Sequence, residues 1–352
     1  MLNKNNKGLT MKDYFKFILT TLSLLPALLL STYAFADSTS PNVELVGMQS
    51  CYGEQFKTYD KWIDTVASMQ KTEQAAERVR ERFKSAFPKV QYERYKERLE
   101  CKQYTYKVDG AYVNGFYVAP AGKKNLPVLI NNRGGNGSYG SWVFTNIYNQ
   151  LFPLAEKTQM AIFATSYRGA HPKLPGKDEF GGADVADVVA LPQLFKHFPA
   201  VDAERVGVYG ASRGTMQSLR AVQEGLKADA LVLYAGSYDF EAELEFRPEM
   251  ERVYKARIPN YESNKADELA KRSAMEWADE LPRDLPILLI HGKADRKVSV
   301  ESSISFAKKL KELGFTHKLS LYEKPHGHGY GINMGAIYSE TNEWFKRYVK
   351  GE

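Results

Sequence analysis

The chain has 352 residues, 43% of them hydrophobic and 26% charged, with a formal net charge of +6. That is ordinary globular composition, enough for one large α/β domain or two small ones. The sequence shows no basic stripe or polybasic cluster of the kind a nucleic-acid partner would require.

Residues 1–36 read as a secretory signal. Lys4, Lys7, Lys12 and Lys16 form a positive head, an apolar stretch runs from Phe17 to about Leu30, and Ala34-Phe35-Ala36 has the small-x-small pattern of a cleavage site. Pro26 interrupts the apolar stretch, which is short for a permanent span. The expectation is an exported protein, periplasmic or secreted, with no stable membrane anchor after cleavage. The segment carries four lysines and one aspartate, so the remainder keeps a net charge of +3. No second stretch is long enough to span a bilayer.

Cys51 and Cys101 are the only cysteines. Export permits a disulfide between them; two buried free thiols is the alternative. Neither has the spacing of a metal site or a catalytic thiol, and no metal or cofactor is expected.

Residues 37–100 are expected to form a helical N-terminal extension. Phe56, Tyr59, Ile63 and Val66 repeat at three and four, and Ala75, Val79, Phe83 and Phe87 at four, a core-facing stripe. From Cys101 the period changes. Tyr104, Tyr106 and Val108 alternate with polar residues, Asp109-Gly110 is a hairpin turn, and Tyr112 to Val118 returns. Short apolar strands then alternate with helical segments: residues 128–130, 161–165, 206–209, 230–234, 287–290 and 319–322. Near-continuous apolar strands in that rhythm predict a three-layer α/β fold of the α/β-hydrolase type. Its sheet would be mostly parallel, opened by an antiparallel hairpin, in one domain over residues 101–352. Residues 238–280 are charged, helical in pattern and too long for a simple connection, so a helical cap insertion is expected there.

The run Gly210-Ala211-Ser212-Arg213-Gly214 follows the strand at 206–209 and precedes a helical segment. A serine hydroxyl needs a base to take its proton, and a tight strand-to-helix turn flanked by glycines holds it exposed for that purpose. With 26 glycines the pentapeptide alone is a weak signal, and its context carries the weight. In this fold the acid follows a later strand and the histidine comes last. Asp295, after the strand at 287–290, is the candidate acid. His326 and His328 both lie in the loop after the final strand, and His328, flanked by glycines, is preferred. The oxyanion donors would be the amide of Arg213 and one from the glycine-rich loop after residue 130, with Gly135 or Asn136 favoured over Gly134. Gly135-x-Gly137-x-x-Gly140 also matches a dinucleotide fingerprint, but the next strand ends Thr165-Ser166-Tyr167-Arg168 without the acid such a site wants.

Together these motifs resemble the catalytic domain of the prolyl oligopeptidase family of serine peptidases. The resemblance runs from about Tyr104 to the C-terminus. It rests on YKVDGAYVNGFYVAP, NNRGGNG, ATSYRGA with EFGGADVADVV, VDAERVGVYGASRG, and RSAMEWADELPRDLPILLIHGKADRKVSV with EKPHGHGY. It implies Ser212, Asp295 and His328 as a triad, and hydrolysis of peptide or amide bonds in a small-molecule or peptide substrate. Carboxylester hydrolysis uses the same machinery, and a non-catalytic binding protein on this scaffold is a further alternative. Full-size members carry a β-propeller, for which this chain has no room. Arg133 stands where relatives often have Tyr or His, either to bind a substrate carboxylate or to hold the loop to an acidic neighbour. Arg168 and Asp184 read as packing and helix-capping residues. Glu241, Glu243 and Glu245 read as a solvated helix face, with recognition of a substrate amine as the alternative. A homo-oligomer is compatible with the sequence.

Overall fold

The computed structural model describes residues 42–323 and 334–352. The expected signal, residues 1–36, lies outside them. The described residues pack as one compact unit. No helix among the described residues is long and apolar enough to cross a membrane.

The chain opens with strand β1 (Val43–Ser50) and three helices, α1 (Tyr59–Ala67), α2 (Glu73–Ala86) and α3 (Lys89–Arg98). Strands β2 (Leu99–Val108) and β3 (Ala111–Pro120) form the expected hairpin. Its turn residues Asp109 and Gly110 both have positive φ, 48° and 84°, as a two-residue turn matching the strand twist requires. Then follow β4 (Leu126–Asn132), α4 (Phe152–Thr158), β5 (Ala161–Thr165), β6 (Val201–Ala211), α5 (Arg213–Gln223) and β7 (Ala230–Tyr234). The cap comprises α6 (Phe240–Phe246), α7 (Met250–Arg257) and α8 (Lys265–Ala270). The chain closes with β8 (Ile287–Gly292), α9 (Val300–Glu312), β9 (His317–Tyr322) and α10 (Met334–Phe345).

The described residues form one nine-stranded sheet in the order β1-β2-β3-β5-β4-β6-β7-β8-β9. The first three pairings are antiparallel and the remaining five, from β5/β4 to β8/β9, are parallel. Alternate residues of the central strands enter two different cores. Leu231, Leu233 and Leu289 pack with α5 and α9, whereas Val232, Leu288 and Ile290 pack with α10 and the N-terminal helices. Apolar cover on both faces is why these strands read as continuous hydrophobic runs.

The extension is not wholly helical. Val43–Ser50 pairs antiparallel with β2 and adds an edge strand that the helical expectation for residues 37–100 missed. The signal was faint for a physical reason. Only Val43 and Leu45 are half-buried, and the register shifts between Leu45 and Gly47, so no long alternation develops. The helices themselves follow the expected stripe, with Tyr59, Ile63 and Phe83 buried, but the centre of the cluster is Trp62, which is 0% exposed. Its ring meets Phe83, Phe87, Phe144 and Tyr148. Truncating a residue so enclosed costs about 3–5 kcal/mol. A disulfide joins Cys51 to Cys101, with Cα atoms 5.4 Å apart, so the three helices lie within one closed covalent loop.

Candidate active site

Strand β4 pairs in parallel with β6, and Asn132 lies opposite Gly210. The two loops that leave these strands therefore emerge side by side at the carboxyl edge of the sheet, where α/β folds place their sites. One carries residues 133–140, the other Ser212. Ser212 has φ 56° and ψ −126°, a strained conformation for a residue with a side chain. Its N–H donates to the Tyr234 carbonyl at 2.8 Å, and the next residue starts α5. The flanking glycines are sterically required. A Cβ at Gly214 would lie 2.0 Å from the Asn132 carbonyl oxygen, and one at Gly210 would lie 2.3 Å from that of Gly214.

The glycine loop passes against the serine: a Cβ at Gly134 would sit 3.0 Å from Ser212 Cβ and 3.5 Å from its Oγ. The Arg213 amide belongs to the first turn of α5, whose N–H groups have no intrahelical acceptor. Gly135, Asn136, Ser212 and Arg213 share the wall of a cavity of about 160 Å³ with Phe240, Glu243 and Tyr254 of the cap and with Lys297 and Val298. A second cavity of about 340 Å³ is also lined by Ser212, together with Gly134, Asn146, Gln150 and Tyr234.

The Arg213 side chain fixes this arrangement. Its Nη1 donates to Asp178 Oδ2 at 2.8 Å and to the Gly135 carbonyl at 3.2 Å; its Nη2 donates to Asp178 Oδ1 and Asp184 Oδ2, both at 2.7 Å. Burial alone would raise the Asp178 carboxyl, but the Arg213 charge and the amides of Gly137 and Phe180 hold it down at about 2. Asp184 also accepts from the amides of Glu179, Gly181 and Gly182, in the turn before it, where helix capping was expected. Arg168 grips Asp187 through Nε at 2.9 Å and Nη2 at 2.7 Å. Nothing in the sequence pattern singled out Asp178; its acid-plus-glycine neighbourhood is common to many turns.

Arg133 departs from both roles considered for it. It is 2% exposed, and its guanidinium donates to five carbonyl contacts: Ser166 twice, Gly134, Tyr139 and Gly137. A guanidinium has five N–H donors, so none is left for a substrate carboxylate or an acidic neighbour. Arg133 ties the glycine loop to the end of β5, and burial together with the Arg213 charge lowers its pKa to about 10.

Asp295 follows β8 and is 8% exposed. Its Oδ1 accepts the amides of Lys297 at 2.8 Å and Val298 at 3.1 Å, and its Oδ2 lies 3.4 Å from His291 Nε2. His291, fully buried, also places Nδ1 2.7 Å from Ser303 Oγ, bracing the loop that carries Asp295. His326 and His328 lie outside the described residues. In the cap, Glu241 and Glu245 are exposed as expected of a solvated face, but Glu243 is not: it is 6% exposed and faces the cavity beside Ser212.

The sequence model of the prolyl oligopeptidase family matches residues 160–352. The chain belongs to the prolyl oligopeptidase family. As a member it is a serine hydrolase. It is 28% identical over 209 residues to the uncharacterized peptidase YtmA of Bacillus subtilis, covering 59% of this chain and 78% of that one. The acylaminoacyl peptidase of Pyrococcus horikoshii superposes with a TM-score of 0.60 at 21% identity, over 72% of this chain and 42% of that one. The acetyl xylan esterase from Paenibacillus sp. R4 superposes with a TM-score of 0.55 at 18% identity, over 72% and 85%. This family member thus spans less than half the length of the acylaminoacyl peptidase. Among its described residues no β-propeller is present; the named strands lie in the single sheet.

Proposed function

We propose that this protein is an exported serine hydrolase that cleaves peptide or amide bonds through an acyl-serine intermediate, without a cofactor. The observation that carries the reading is the strained Ser212 elbow, with the glycine loop against its hydroxyl and two cavities that it lines. In this mechanism His328, with His326 as the alternative, takes the Ser212 proton as Oγ bonds to the substrate carbonyl carbon. The amides of Arg213 and of Gly135 or Asn136 hold the oxyanion. The histidine passes its proton to the departing amine; it then deprotonates the attacking water and returns that proton to Ser212 Oγ as the acyl bond breaks and the acid leaves. Asp295 orients the imidazole and stabilises its cation.

A second reading is carboxylester hydrolysis. It is favoured by the make-up of the described residues, among which no propeller stands over Ser212 to filter substrates by size. Fluorophosphonate labelling of the mature protein, lost in Ser212→Ala, tests the nucleophile. A panel of aminoacyl amides and simple acyl esters tests the bond; turnover of short esters alone would defeat the peptidase reading. For export, the expected N-terminus of the mature protein is Asp37.

A further inference from the structure

Glu243 presents an unusual combination. It sits on α6 in the wall of the cavity that also holds Ser212, Arg213, Gly135 and Asn136. It is 6% exposed, and its Oε2 is buried with no hydrogen-bond partner. A carboxylate oxygen accepts only, and leaving it buried and unpaired costs free energy that a donor in the cavity would recover. No cation among the described residues hydrogen-bonds Glu243 Oε2, although Arg247 lines the same cavity. Arg213 is held by two aspartates, and Arg247 donates Nε to Glu249 Oε1 at 2.9 Å. Lys297 is exposed at the rim. Among the described residues lining the cavity, Glu243 is the one carboxylate. Apolar and aromatic side chains, Phe180, Phe240, Tyr254 and Val298 among them, line the same cavity. Such a wall accepts the methylene stem and cation of a long basic side chain.

Of the two cavities at Ser212 this one holds both kinds of candidate oxyanion donor, so a group seated in it lies beside the reacting carbonyl, and the acyl side is the part taken to occupy it. We infer that Glu243 makes this cavity selective for acyl groups ending in a cation, an ammonium or a guanidinium, seated on its carboxylate. The inference rests on Ser212 being the nucleophile.

The test uses Nα-acylated lysine, arginine and norleucine p-nitroanilides with the mature protein, so that no α-ammonium confuses the comparison. The wild type is expected to prefer lysine or arginine over norleucine in kcat/KM. Glu243→Gln is expected to reduce that preference about 100-fold, and Glu243→Asp to retain part of it. Fluorophosphonate labelling of each variant reports whether the elbow is folded. Labelled wild type without a cationic preference, or a preference unchanged in labelled Glu243→Gln, overturns the inference. Wild type that does not label at Ser212 overturns the nucleophile reading, and this inference with it.

Discussion

Arg213 Nη2 lies 2.7 Å from Asp178 Oδ1, and both side chains are almost wholly out of water. The same residue offers its backbone amide next to Ser212, so the ion pair and the candidate oxyanion donor move as one unit. Replacing Asp178 by Asn would leave Arg213 short of a buried charge partner, which costs about 3–5 kcal/mol. The folded-state pKa of about 2 lies below the usual aspartate value, so the contribution is fully present above roughly pH 4 and is lost as pH falls through 2. Urea unfolding of wild type and Asp178→Asn should therefore differ widely at neutral pH and converge in acid. A constant difference across that range would refute the account.

The backbone strain at Ser212 predicts a separable effect. Ser212→Ala keeps the side-chain clash and loses the hydroxyl; Ser212→Gly loses both. Glycine tolerates positive φ, so the Gly variant should be more stable than the Ala variant by about 1 kcal/mol, with neither labelled by a fluorophosphonate. Thermal melts of the pair are the measurement.

Gly214 allows no side chain. A methyl group there would lie 2.0 Å from the Asn132 carbonyl oxygen, in a wall of backbone that cannot step aside cheaply. Gly214→Ala should destabilise by about 1–3 kcal/mol or more and abolish labelling, read by melting temperature and probe incorporation.

Burial pushes Glu243 up to about 7; Ser237 and Arg247 pull it down, and Asp295 and Glu249 push it further up. Below that pH the carboxyl is neutral and above it ionised. The preference for a lysine over a norleucine acyl group should thus rise as pH increases through 7. Taking the ratio of the two substrates cancels the titration of the histidine base, which affects both alike. Glu243→Gln should flatten the rise.

The Cys51–Cys101 bond closes a loop across 50 positions. In the chain-entropy model that is worth about 4 kcal/mol. The double Ser variant should lose that amount in denaturant unfolding, and reduction of the native protein should give a similar loss.

Much of this was legible from residue order. The central strands announce themselves because both faces are buried, which makes the apolar runs unmistakable. The positions of Ser212 and Asp295, each just past such a strand, were readable from the strand pattern. What escaped depended on distant partners. The two-part interest of Glu243 cannot be seen in a helix with Glu at 241, 243 and 245, since burial of one alone follows from how α6 lies over Ser212. Arg133 looked like a charge waiting for an acid, and found backbone carbonyls instead, because a glycine-rich loop exposes many carbonyls and few side chains. Strand β1 was hidden by its position at the edge, where only one flank contributes pattern.

The closed loop has a consequence for wear. Met69, 73% exposed in the bend between α1 and α2, marks a place where a protease can reach the chain. A cut there severs the polypeptide but releases nothing, since both pieces stay joined through sulfur. A nicked molecule would run as one species until a reductant is added, its aromatic cluster still seated on the sheet.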